Sequence, residues 1–483
     1  MRITSGIMMN NSLFSINNNK VLMDSINTQL NTQKKIQRPS EDPIVAIRAL
    51  RLRTTYAEVC QYLEKNVPDA RSWINCTNDA LDSINEVLTE VTYYCNQGVN
   101  DYNTPAERKT LKETLEQLKY QIYADGDADL SGRTLFTGYK TDSTLTFKHD
   151  DPDKRYSIKQ TFSAKDVDDV KRIAGLNTDT IHTADQRNIT NNSFHVIKVA
   201  YDDIDTIGTI TLTNAAGATS TITPQIRSKE VYEAAGNSVY TTVSSGTVFV
   251  PETGELLLSD TLFETMTNGG TIDVTYEKEG FKRGDLRPEH YFDCTDMTDG
   301  IDYVSADQQI NYTINFNQTI KINTQAKDVL KHDMGRDLDE IIYSVQAALD
   351  AQTKIDKINI QKNATTDAAV IAQLDSMLIA AELELAYAEE NMGKAFSASI
   401  TKYQEHQQVL NDELADLGAR LVRLDLNEQR LSTQKLNVEN QKSANEEIDV
   451  AATAVKLKSA SNVYDASLMA AAKIVQNSLL DFL

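Results

Sequence analysis

The sequence predicts a mainly α protein with a β insertion: a long antiparallel helical bundle or coiled coil formed by both termini, with one or two strand-rich outer domains between them. Three observations predict it. Apolar residues recur at alternating three- and four-residue steps near both ends, the last 195 residues contain no proline, and the stretch from Ser131 to about Val329 switches to the two-residue alternation of strands.

Asn11 to Lys35 reads as a helix with Leu22, Ile26 and Leu30 on one face. It must stop before Pro39, because a residue preceding proline is pushed out of the helical region. Pro39-Ser40-Glu41-Asp42-Pro43 forms a connector in which Ser40 can cap the next helix and Pro43 suits its first turn. Glu41 and Asp42 face the positive helix end. The following helix carries Ile74, Thr77, Leu81, Ile84, Leu88, Val91 and Cys95 in three-four spacing, with Trp73 beside this stripe as a packing anchor. After Pro105 a shorter helix carries Leu111, Leu115, Leu118 and Ile122.

Threonine, valine, isoleucine and tyrosine alternate with polar residues at 208–213, 238–243, 246–250 and 270–276. Glycine and asparagine punctuate these runs, which marks short strands and hairpins. Residues 280–284 and 307–322 continue the pattern.

Helix returns with Ile371, Leu374, Leu378, Ala381, Leu385, Ala388 and Met392. It continues through Leu410, Leu414, Leu417, Leu421, Leu424 and Leu431, flanked by Glu413, Asp416, Arg420 and Arg423. A repeat near 3.5 residues with charged flanks is a coiled-coil stripe. At the end, Tyr464, Leu468, Ala471, Val475, Leu479 and Phe482 share one side of a segment too apolar to stay wet and too short to stand alone.

The chain therefore divides into a terminal helix at 1–45 and the first half of a helical bundle domain with a hairpin at 46–150. A strand-rich insertion at 151–314, of one or two subdomains, follows, then the second bundle half at 315–440 and a second terminal helix at 441–483. The expected bundle core is Trp73, Ile74, Leu81, Ile84, Leu88, Leu410, Leu414, Leu417, Leu421 and Leu424. The face expected to need cover in an assembly is Leu22, Ile26, Leu30, Tyr464, Leu468, Val475, Leu479 and Phe482. Stripes at both extremities call for cover by copies of the same chain, and repetition of such a contact about an axis gives a ring or a tube.

The formal charge of -22 argues against nucleic acid, whose binding depends on concentrated lysine and arginine. No run of 18 apolar residues suggests a membrane span, and no apolar leader with a small-residue cleavage site opens the chain. Cys60, Cys76, Cys95 and Cys294 include no C-x-x-C pair and read as buried or partly buried thiols. The six histidines lack zinc spacing, and His406 reads as solvated on an exposed helix. Asp125-Gly-Asp127-Ala-Asp129 opens like a calcium loop, but Leu130 and Phe136 stand where glycine and glutamate are needed. No nucleophile elbow, dinucleotide fingerprint or phosphate loop is present. The reading is therefore no enzyme, no cofactor and no metal.

Several stretches resemble a known family. Met1-Arg-Ile-Thr4, Gln37-Arg-Pro-Ser-Glu-Asp-Pro43 and the run Asn66 to Leu81 containing Ser72-Trp73 are similar to the N-terminal region of the flagellin-like family. Gly132-Arg-Thr-Leu-Phe-Thr-Gly138, Gly418-Ala-Arg-Leu-Val-Arg-Leu424 and Ser478-Leu-Leu-Asp-Phe-Leu483 resemble its hook-associated protein 3 branch. The similarity covers about residues 1–150 and 315–483, and the block Gly280 to Cys294 looks like one found in longer members. Thr134 departs from the usual aromatic residue and leaves the packing of the hairpin tip open, while Glu41 replaces the commoner aspartate. The resemblance implies an extracellular flagellar subunit, exported through the flagellar apparatus without a cleaved signal peptide. It implies that the terminal segments 1–45 and 441–483 are disordered before assembly, that a dedicated export chaperone binds the Leu22 to Phe482 face named above until then, and that the insertion at 151–314 faces outward. It further implies self-association in a junction ring between hook-associated protein 1 and flagellin. Flagellin itself is the alternative and would polymerise alone into long tubes; an adhesin, a phage tail protein or an enzyme lodged in the insertion are more distant.

Overall fold

The computed structural model describes residues 5–99, 104–234, 239–240, 243 and 246–480. The chain opens with α1 (Ser5–Thr32), α2 (Pro43–Gln61), a π turn (Tyr62–Asn66), α3 (Val67–Gly98) and α4 (Pro105–Asp125). A small hairpin, β1 (Asp129–Leu130) and β2 (Arg133–Thr134), precedes β3 (Asp151–Phe162), β4 (Asp168–Ala174), β5 (Thr190–Lys198), β6 (Thr206–Ile207), β7 (Ile210–Thr213), β8 (Thr219–Ile222) and β9 (Gln225–Ile226). Short helices α5 (Lys229–Ala234) and α6 (Asp260–Thr267) alternate with β10 (Thr247–Val250), β11 (Glu255–Leu258) and β12 (Thr271–Phe281). Then come β13 (Asp293–Asp296), β14 (Ile301–Tyr303), a hairpin of β15 (Asn311–Asn315) and β16 (Gln318–Lys321), short α7 (Ala326–Val329), α8 (Asp333–Ala364), α9 (Ala368–Glu446) and α10 (Val450–Leu480). The expected class, helical ends around a strand-rich middle, is the observed one.

Two compact units form, one from Met1–Ala70, Tyr312–Ile320 and Val422–Leu483, the other from Arg71–Asn311 and Lys321–Leu421. The terminal unit thus extends beyond the 1–45 and 441–483 segments into α2, the β15–β16 hairpin and the last turns of α9.

The helix boundaries follow local chemistry. Asp42, not Ser40, caps α2: its carboxylate accepts from the N–H groups of Ile44 and Val45 at 3.0 and 3.1 Å. Pro43 occupies the first helical turn, so the residue directly before it is the one with extended backbone and a side chain aimed at the free N–H groups. Thr104 and Glu107 form a capping box at the start of α4.

The π turn has a cause in the apolar spacing. Ala46, Ala49 and Val59 are buried on α2, and Val67, Ala70, Ile74, Thr77, Leu81, Ile84, Leu88, Val91 and Cys95 on α3. Val59 to Val67 is one residue longer than a heptad, and a π turn takes up one extra residue, so the buried stripe stays on one side. On α9 the buried positions recur by sevens at Leu374, Ala381 and Ala388, and again from Phe396 through Tyr403, Leu410, Leu417, Leu424, Leu431 and Val438. One extra residue separates those two series as well, here without a π turn.

In the larger unit, seven strands pair in the order β14-β13-β3-β12-β7-β8, with β6 also on β12, and five in the order β4-β5-β11-β10-β9. β3 and β12 run antiparallel over nearly their full length. The expected strand at 238–243 lies mostly outside the described residues. Thr134 is buried, and its hydroxyl bonds to the Thr137 hydroxyl and donates to Ser143 O at 2.9 Å, so polar closure replaces aromatic packing at this tip. Both Asp127 oxygens are engaged by Leu145 and Thr146.

A buried charge network fastens the five-stranded sheet to α8. Arg172 of β4, 2% exposed, reaches Glu255 of β11 at 2.5 Å and Glu340 of α8 at 2.7 Å. Lys198 of β5 reaches Glu340 at 2.6 Å. The Arg172 guanidinium also lies 4.4 Å from the Tyr343 ring centroid, and Tyr240 donates to Glu255 at 2.8 Å. Burial pushes the Glu340 carboxyl up, but the charges of Arg172 and Lys198 more than reverse this and hold it well below the usual carboxylate range. His406 is a correction to the solvated reading: it is 13% exposed and its Nε2 lies 3.0 Å from Asp337 of α8. Its helix face looks outward in sequence, but α8 covers it.

Candidate assembly interface

In the terminal unit α1 and α10 pack against each other, antiparallel, with Asn19 Nδ2 donating to Ser467 Oγ at 2.8 Å and Lys34 bridged to Glu447. The covered positions of α1 are Ser12, Ile16, Asn19, Met23, Ile26 and Leu30; those of α10 are Thr453, Leu457, Ala460, Tyr464, Ser467 and Ala471. Both sets follow three-four spacing, so each helix lays one face on the other. Half of these residues are small or polar, which makes the contact close but modest in apolar area.

The faces turned away are apolar too. Ile7, Phe14 and Val21, one heptad apart on the far side of α1, are exposed, Phe14 by 68%. Ile44, Ile47 and Leu50 form an exposed stripe on α2, opposite buried Ala46, Ala49 and Val59. Val455 and Met469 of α10 are each 70% exposed, and Val422, Leu426 and Leu436 stand out on α9. Most of the large hydrophobics exposed among the described residues belong to this unit, although it is the smaller one. Exposed apolar side chains in such number mark this unit as a candidate interaction surface.

The residues singled out from sequence fall into three groups. Ile26, Leu30 and Tyr464 lie in the α1–α10 contact, whereas Leu22 and Leu468 are exposed at its margins, by 53% and 42%. The side chains of Val475 and Leu479, and Phe482 altogether, lie outside the described residues. Trp73, Ile74, Leu81, Ile84, Leu88, Leu410, Leu417 and Leu424 are buried, and Leu414 and Leu421 half-buried. Arg133 lies over the Trp73 ring at 5.1 Å. Sequence reasoning missed the α2 stripe, whose signal was the apolar pair Ile44 and Ile47 outside the buried phase.

Glu446 ties the unit together. Its carboxylate accepts from Arg53 at 2.7 and 2.6 Å and from Lys34 at 3.1 Å. The Arg53 hydrogen bonds hold its carboxyl down, at about 2, against the opposing effect of burial, with Lys34 adding to the depression. A depressed folded value means that the stabilisation is complete above the ordinary carboxylate range and is lost as pH falls through about 2. Urea unfolding of the chain and of Glu446→Gln should therefore differ by about 2–3 kcal/mol at pH 7, and the gap should close steadily between about pH 4.5 and pH 2. A gap unchanged at pH 2.5 would contradict this assignment.

Among the described residues, no helix is long and apolar enough to cross a membrane, and no group of three or more His, Cys, Asp or Glu is placed to hold a metal ion.

The terminal helices pair with each other and leave apolar stripes on their outer faces. The bacterial flagellin N-terminal helical region matches residues 3–141. More particularly, the chain is similar to flagellar hook-associated protein 3 of Salmonella typhimurium, 26% identical over 150 residues that make up 30% of this chain and 45% of that protein. It thus spans less than half the length of the curated relative it matches. Among solved structures, a flagellar hook-associated protein from Vibrio parahaemolyticus aligns over 84% of this chain and all of its own at 13% identity, with a TM-score of 0.37. The flagellar junction protein FlgL from Legionella pneumophila aligns over 83% of this chain and all of its own at 10% identity, with a TM-score of 0.30. The family match and the curated relative support the resemblance to hook-associated protein 3 of the flagellin-like family.

Proposed function

We propose that this chain is a structural subunit of the bacterial flagellum that forms the junction between hook and filament, adapting hook-associated protein 1 to flagellin, and that it performs no catalysis. The observation carrying this reading is the terminal unit: helices that cover each other on one face and leave apolar stripes on the others, in a chain whose first 141 residues include a flagellin N-terminal region. Neighbouring copies in a ring would cover those stripes, and before export a dedicated chaperone would do so. The flagellar export route would deliver the chain outside the cell. The bundle core residues, Trp73 to Leu88 and Leu410 to Leu424, would serve as the rigid wall, and the strand-rich region between residues 151 and 314 would face solvent.

A strain lacking the gene should make hooks with no filament attached, with flagellin released into the medium. Normal filaments in that strain would overturn the junction role. The family match is to flagellin's own N-terminal region, so a filament role is the second reading. Purified chain that grows into long tubes unaided would favour it.

A further inference from the structure

In the larger unit β4 and β5 pair directly, out to Ala174 opposite Thr190, so a loop of about two to five residues would be enough to join them. Residues 175–189 join them instead, with one 3₁₀ turn at Gln186–Asn188. A connection of that length does more than close a hairpin.

What it covers is the far end of the α8–α9 helix pair. Among the described residues, the hydrogen bonds and ion pairs that residues 352–387 make outside this helix pair all go to residues 175–184. Ala184 N–H donates to Ser376 Oγ at 3.0 Å, and Lys357 lies 3.7 Å from Asp179. Leu176 and Ile189, near the two ends of the connection, are buried in one cluster with Ile358 of α8 and Leu374 and Met377 of α9. Two helices side by side cover only the faces they turn to each other, and helical stability in a protein comes chiefly from tertiary packing. From residue 352 the end of α8 runs on for about 20 Å at 1.5 Å per residue, and residues 175–189 supply the third layer there.

Glu384 fastens this layer. Its buried carboxylate accepts from Leu176 N–H at 2.7 Å and from Lys354 Nζ at 2.6 Å, so one α9 side chain joins the connection to α8. Gly175 permits the close approach, since a Cβ there would overlap the Glu384 carboxylate. We propose that residues 175–189 are a strap, buckled by Glu384, that holds the outer part of the α8–α9 pair closed. The strand-rich region is then a structural part of the helical bundle, and it cannot be removed without opening that end. The strap belongs to the single chain and does not depend on the flagellar role proposed above.

Amide hydrogen exchange on the full-length protein tests this with two variants. Gly175→Ala adds one methyl group where the Glu384 carboxylate sits. Exchange at 175–189 and at 352–387 should then rise together by at least about tenfold, as for lost charge-assisted hydrogen bonds, while β3, β12 and residues 333–345 keep their protection. In the second variant Asn-Gly replaces residues 175–189, a two-residue turn that suits an antiparallel pair. It removes the strap and leaves the β4–β5 pairing, so residues 352–387 should lose still more protection than in Gly175→Ala. Unchanged protection at 352–387 in either variant would overturn the strap. So would a rise in β3 and β12 as large as that at 352–387, since the segment would then contribute only general packing.

Discussion

Arg172→Met is expected to destabilise the chain by about 3–5 kcal/mol, the cost of leaving partnered charges buried without their counterpart. Arg172 stands between Glu255 and Glu340 with 2% of its side chain exposed, and Lys198 is the other cation in contact with that group. Removing Arg172 leaves two buried carboxylates and one cation. Removing Glu340 together with Arg172 restores the balance, because Lys198 still attracts Glu255. The double variant Arg172→Met with Glu340→Gln should therefore be more stable than the sum of the single losses predicts, by about 1–3 kcal/mol. Urea denaturation of the four proteins measures this directly. Additive losses would show that the two residues do not act through one network.

Phe14→Asp combined with Val21→Asp is expected to abolish incorporation into flagella and yet leave the stability of the isolated chain within about 0.5 kcal/mol, as for other surface substitutions. Both side chains face away from α10 and are well exposed. They have nothing to lose in the monomer and an apolar partner surface to lose in an assembly. Ile26→Asp is the control: Ile26 is 8% exposed in the α1–α10 contact, so a charge there should disrupt that contact itself. A motility assay read beside urea denaturation distinguishes the two effects. Normal motility in the double variant would remove α1's outer stripe from the assembly account.

How far these features were legible in the sequence depends on the kind of contact. The α9 repeat was readable because its buried positions are leucines seven apart, Leu410, Leu417, Leu424 and Leu431. The α1–α10 contact was read partly out of phase, with Leu22 and Leu468 placed inside it. Its covered positions include Ser12, Asn19, Thr453 and Ser467, side chains that hydrophobic spacing overlooks, while larger apolar residues occupy the outer faces. β3 went unrecognised because its buried alternation, Tyr156, Ile158, Gln160 and Phe162, passes through a polar residue. Gln160 is satisfied only by distant groups, accepting from Ala200 N–H at 3.0 Å and Tyr276 Oη at 2.6 Å. His406 depends on Asp337, and Glu446 on Lys34 and Arg53 far away in the chain. Partners so separated leave no local pattern, whereas the one-residue excess between Val59 and Val67 does, once the phases of α2 and α3 are compared.

The most direct measurement is the accessibility of the outward stripes in the two states of the protein. Single cysteines placed at Val21, Ile47 and Val455, in a chain whose natural cysteines are replaced by serine, should react with a maleimide within minutes in the purified monomer. In intact flagella isolated from cells they should be protected, because copies of the chain or its flagellar neighbours cover them. Equal reactivity in the monomer and in flagella would contradict the claim that these apolar faces build the wall.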